Sequence, residues 1–65
     1  MDDLILKYVL YNSIKYNKIE VNSILGKIIA EKPEVKNNIK EVIKKINEAI
    51  KDVNKLSLEE REKRL

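Results

Sequence analysis

Sixty-five residues allow one domain at most, close to the lower size limit for a self-supporting hydrophobic core. With no cysteine and no histidine, the chain lacks a disulfide framework, the commonest metal ligands and the commonest general base. Charged residues make up 38% of the chain at a net charge of +3, an excess too mild to decide for a nucleic-acid partner by itself.

No secretory leader pattern is present, nor an apolar run near the roughly 18 residues that span a bilayer, so a cytoplasmic chain with no membrane role is expected. One glycine and one proline leave little turn material, which predicts helices with tight joins. Asp2 and Asp3 favour a helix start, and the first helix is expected over about 2–16. Its apolar residues (Leu4, Ile5, Leu6, Tyr8, Val9, Leu10, Tyr11, Ile14, Tyr16) nearly encircle the axis. A helix of this kind is either central in the fold or covered by something else. Asn17-Lys18-Ile19-Glu20 reads as a connection.

Asn22 is the expected N-cap of a second helix over about 22–30, with Ile24, Leu25, Ile28 and Ile29 along one face. Gly26 inside that helix costs about 1 kcal/mol against alanine, which suggests a close backbone approach to a neighbour. Pro33 suits the first position of a third helix over about 33–54. Its stripe Val35, Ile39, Val42, Ile46, Ala49, Val53 steps 4-3-4-3-4, with Ile43 and Ile50 widening it. Asn54 is a reasonable terminator.

Ser57-Leu58-Glu59-Glu60 reads as a capping box opening a fourth helix over about 58–65. Isolated helices below roughly 12–15 residues are marginal in water. A helix begun and not continued predicts a piece of a longer protein, the alternative being a frayed natural C-terminus. The expected fold is all-α, a small bundle of three helices plus the start of a fourth, in one domain over 1–65.

On a wheel of 3.6 residues per turn, Lys36, Lys40, Lys44 and Lys51 fall within about 80° beside the Ile43/Ile50 edge. Glu34, Glu41, Glu48 and Asp52 cluster on the other side. Like-charge i,i+4 pairs cost about 0.2–0.5 kcal/mol each, so their grouping suggests a phosphate-facing surface. Lysines snorkelling over the rim of the core are the competing reading. Tyr8, Tyr11 and Tyr16 interleave with Lys7 and Lys15 and superficially resemble a stacking platform. Tyrosines spaced i,i+3 on so apolar a helix read first as core residues with surface hydroxyls. Leu6, Leu10 and Ile14, on the surplus side of the first helix, are the candidate protein-docking residues.

Catalysis has nothing to use. Glu59 and Glu60 diverge on a helix, the serines have no histidine, and one glycine makes no phosphate loop. No catalytic or metal-ligating residue is assigned.

Taken in order, several segments resemble the start of archaeal-type glutamyl-tRNA synthetases. They are Leu6-Lys7-Tyr8, Asn12-Ser13-Ile14-Lys15-Tyr16-Asn17 and Ile24-Leu25-Gly26-Lys27-Ile28, then Glu31-Lys32-Pro33-Glu34 and Val53-Asn54-Lys55-Leu56-Ser57-Leu58-Glu59-Glu60. Each is unspecific alone; their order and spacing carry the likeness over nearly all 65 residues. The connection from Asn17 to Asn22 departs from the family, which often has a more glycine-rich loop there.

The resemblance implies a parent enzyme of class I that joins glutamate to its tRNA using ATP with magnesium, its catalytic domain following Leu65. The family's histidine-containing motif and lysine-serine-lysine loop have no counterpart here, so no cofactor is assigned to this chain. In related synthetases, N-terminal helical appendages are associated with tRNA affinity or with docking to partner proteins. The expected partners are therefore tRNA, the catalytic domain of the same parent, or another protein. A free-standing helix-turn-helix DNA binder is the weaker alternative, because the third helix offers lysines where Arg, Asn or Gln should meet base edges.

Overall fold

The structure, a computed structural model, describes residues 2–16 and 18–65, and among these it contains helices and no strand. Helix α1 spans Asp2–Lys15, α2 Val21–Glu31, α3 Ile39–Asn54 and α4 Leu58–Arg64, with a 3-10 helix at Pro33–Asn38 leading into α3. The bundle measures 35 × 18 × 18 Å. Asn17, placed in the first connection from sequence, lies outside the described residues.

Helix α1 is central, because α2, α3 and α4 all pack against it. This resolves its encircling hydrophobicity: different sides of one helix meet different neighbours. Ile5, Val9 and Leu10 from α1 are buried with Ile24 and Ile28 from α2, Val35 from the 3-10 helix, and Val42, Ile46 and Val53 from α3. Burying one such side chain contributes roughly 1.5–3 kcal/mol, so this aliphatic cluster outweighs any single cap or ion pair. Asn12 and Ser13 are buried on α1 as well, and each bonds back within the helix. Asn12 Nδ2 donates to the Tyr8 carbonyl and Ser13 Oγ to the Leu10 carbonyl, both at 2.8 Å.

Four local expectations are corrected. The helix expected over 33–54 is interrupted, since residues 33–38 form a 3-10 helix and Asn38 has φ −137° and ψ 41°. Pro33 does start a helix, but two asparagines, poor helix formers, follow before α3 begins. A 3-10 helix advances three residues per turn, so Val35 and Ile39 cannot both stay in phase with Val42. Val35 is buried, while Ile39 is 37% exposed.

Helix α2 begins at Val21, so Asn22 lies in its first turn and Glu20 occupies the cap without a side-chain bond. The Glu20 carbonyl accepts from Ile24 N at 3.1 Å, and its carboxylate pairs with Lys18 at 3.0 Å. Gly26 is exposed, and a Cβ added there meets nothing within 4 Å. No close helix approach explains this glycine.

Helix α4 has no buried residue, and Leu58 is 56% exposed. It begins with the expected cap, Ser57 Oγ accepting from Glu60 N at 3.2 Å. A second anchor was not visible from sequence. Arg61 Nε donates to the carbonyls of Val53 and Leu56, both at 3.1 Å, closing the end of α3. The last carbonyls of a helix need donors and favour a cation, and Arg61 supplies both.

Two stability measurements follow from these observations. Gly26→Ala should raise the unfolding free energy by about 0.5–1 kcal/mol, read by urea titration with circular dichroism. A loss of stability would mean that the glycine backbone is required. Arg61→Met keeps an apolar stem but removes the donor; a cost of about 1 kcal/mol lowers Tm by roughly 4–8 °C in a domain this small. An unchanged Tm would show that α4 does not depend on this bond.

Candidate nucleic-acid interface

On α3, Lys40, Lys44 and Lys51 lie within about 40° of arc, on the side opposite the buried Val42, Ile46 and Val53. All three are exposed, and no described hydrogen bond or ion pair engages them. From Lys40 to Lys51 the ridge rises about 16 Å at 1.5 Å per residue. Lys36, grouped with them from sequence, stands on the 3-10 helix and falls out of this helical register. It is exposed there.

The acidic residues lie on the other flank. Glu48 and Asp52 join Ile5, Leu6, Lys45 and Ala49 around a groove of about 260 Å³ between α1 and α3. An anion is repelled from that flank and drawn to the outer ridge.

The residues named for protein docking do not form one face. Leu10 is 1% exposed and belongs to the core, because α4 and the rest of the bundle cover that side of α1. Leu6 and Ile14 are half-buried, and Leu6 borders both the α1–α3 groove and a smaller one beside Arg64 and Leu65.

The tyrosines occupy a place the sequence did not give them. Lys27, from α2, sets its Nζ 5.0 Å from the Tyr11 ring centroid, 5.4 Å from Tyr16 and 6.0 Å from Tyr8. Lys15 lies 5.3 Å from Tyr11 and Lys7 5.5 Å from Tyr8. Tyr11 and Tyr16 meet edge to face at 6.3 Å. Lys27 joins the tyrosines only through the packing of α2 on α1, so no local spacing could have singled it out.

Two opposite electrostatic environments result. The Tyr8 hydroxyl donates to Glu31 Oε2, which holds its pKa above the ordinary 10.0, with burial adding to the effect. Lys15 Nζ donates to the Tyr11 hydroxyl at 2.9 Å, which pulls the Tyr11 pKa down; burial opposes this, and the charges of Lys15 and Lys27 add smaller lowering effects. The same bond raises the pKa of Lys15.

Glutamate–tRNA ligases of archaea match this chain over nearly its whole length. That of Thermococcus kodakarensis is 41% identical over 64 residues, covering 97% of this chain and 11% of the relative. The ligase of Pyrococcus furiosus is 38% identical over 66 residues, covering 100% and 12%, and that of Metallosphaera sedula 38% identical over 61 residues, covering 92% and 11%. The chain is homologous to the N-terminal part of archaeal glutamate–tRNA ligases. It therefore spans only about a tenth of the length of the curated relatives it matches. No protein-family model matches the chain, and no solved structure matches it.

Within this ligase-related segment, no described helix is long and apolar enough to cross a membrane. Its polar surface offers two separate assets: a lysine ridge on α3 and an aromatic–lysine face on α1 and α2.

The tyrosine environments predict an order of ionisation. Tyr11, its folded-state pKa lowered, should lose its proton before Tyr8, whose proton Glu31 retains. The sign for stability follows: the Tyr8 contribution is present below the unfolded pKa and disappears as pH rises through its raised folded value. Ring resonances followed by NMR through alkaline pH should show Tyr11 shifting first, and Lys15→Ala should delay it. Tyr8 ionising first would contradict both hydrogen bonds.

Proposed function

We propose that the chain is a non-catalytic N-terminal domain of a glutamate–tRNA ligase and that it assists tRNA binding through the outer lysines of α3. The observation that carries this reading is the alignment of Lys40, Lys44 and Lys51 on one exposed ridge, in a chain homologous to tRNA ligases. Lysines serve phosphates as point charges and carry no sequence code, so the domain adds affinity and leaves the choice of tRNA to other parts of the enzyme. Glu48 and Asp52 on the groove flank restrict the direction of approach. Phosphates reach the ridge from the outer side and from the Ile43/Ile50 edge.

In this reading the parent enzyme joins glutamate to tRNA with ATP and magnesium in the cytoplasm, and its catalytic body lies outside this chain. The domain's part is positional: it lowers the free energy of the encounter complex and holds the RNA near that body.

The groove between α1 and α3 favours a second reading, in which the domain also docks on the catalytic body of its parent. Ile5, Leu6 and Ala49 offer an apolar floor there, and Lys45, Glu48 and Asp52 a charged rim.

The electrostatic reading has a direct test. Replacing Lys40, Lys44 and Lys51 by glutamate should weaken tRNA binding and lower the slope of log K against log salt by roughly one per lysine. Filter binding between 50 and 200 mM salt reads both quantities. An unchanged affinity and slope would remove the ridge from the interface.

A further inference from the structure

All three aromatic residues of this chain, Tyr8, Tyr11 and Tyr16, stand together on one surface, while the buried cluster contains only isoleucine, leucine and valine. Aromatic side chains are the largest apolar groups available to a small core. Here the buried cluster is built without them, Tyr8 alone packing against it from the edge. Tyr16 is 56% exposed, and Tyr8 and Tyr11 are half-buried at the edge of an open groove of about 520 Å³.

The cations of this face are placed differently from those of an ordinary solvated surface. Lys7, Lys15 and Lys27 each lie over a tyrosine ring. Glu31, the acid that lines the groove, already accepts a hydrogen bond from the Tyr8 hydroxyl. Three positive charges thus stand among π-faces. A cation–π contact at an exposed site is weak, and a lysine stem is flexible, so an arriving ring can displace an ammonium group toward an adjacent phosphate.

We propose that this face binds unpaired RNA nucleotides, their bases stacking on Tyr11 and Tyr16 and their phosphates meeting Lys15 and Lys27. Alternating aromatic platforms and cations is the arrangement that single-stranded nucleic acid requires, since every base has a π-face and every linkage a charge. A duplex keeps its bases stacked inside and offers this surface only phosphates. The face lies on α1 and α2 and is separate from the α3 ridge, so the two sites can succeed or fail independently.

The chain contains no tryptophan or phenylalanine, so its tyrosine emission reports from this face alone. The experiment titrates the 65-residue chain with an eight-nucleotide single-stranded RNA, a duplex of equal length and inorganic polyphosphate. Single-stranded RNA should quench the emission saturably, while the duplex and polyphosphate should bind more weakly and leave it nearly unchanged. Tyr16→Ala and Tyr11→Leu should each raise Kd for the single strand roughly tenfold. Circular dichroism should show the helices intact, as the exposed position of Tyr16 leads one to expect. Because the emission comes from this face, duplex or polyphosphate held by the α3 ridge leaves it nearly unchanged, which separates this site from the ridge. Absent quenching, an equal effect of polyphosphate, or unchanged affinity in both tyrosine variants would overturn the proposal.

Discussion

The structure depends on the burial of one helix by three others. Helix α1 supplies Ile5, Val9 and Leu10 to the core, and α2, α3 and α4 pack around it. In 65 residues there is too little interior for two layers, so the central element must be apolar on several sides. Helices α2 and α3 then need only one apolar stripe each and are free to spend their outer faces on polar and charged residues. That division accounts for Val42, Ile46 and Val53 on one side of α3 and three lysines on the other.

The short α4 completes the enclosure. It buries none of its own residues, so the apolar burial it contributes is that of α1, against which it packs. The Ser57 cap and Arg61 fix it further, Arg61 Nε reaching the Val53 carbonyl in the last turn of α3 and the Leu56 carbonyl just beyond it. One arginine thereby satisfies the end of one helix and orients the next. Leu10, which reads from sequence as a surplus docking residue, lies buried within this enclosure.

Features with a local cause were legible in the sequence. The periodicity of α3, its end at Asn54, the Ser57 cap and the lysine ridge all follow from residues within a few positions of one another. The archaeal ligase likeness was also readable, from the order of short segments. What failed depended on helical pitch or on distant partners. Pro33 marks a helix start but does not fix its pitch, so Ile39 and Lys36 were assigned to a register that the 3-10 helix breaks. Gly26 has no neighbour to explain it. Lys27 and Arg61 act across helix–helix contacts, and neither role has a sequence spacing to betray it.

The chain joins an aliphatic interior to two outward faces, the α3 lysine ridge and the tyrosine–lysine face, which we propose meet different parts of one RNA. Backbone amide shifts of the labelled chain, followed by NMR during titration with tRNA, test this union most directly. Perturbations should concentrate at Lys40, Lys44 and Lys51 and around Tyr11, Tyr16 and Lys27, leaving Val9, Ile28 and Ile46 in place. Shifts confined to the α1–α3 groove, or none at saturating tRNA, would contradict it.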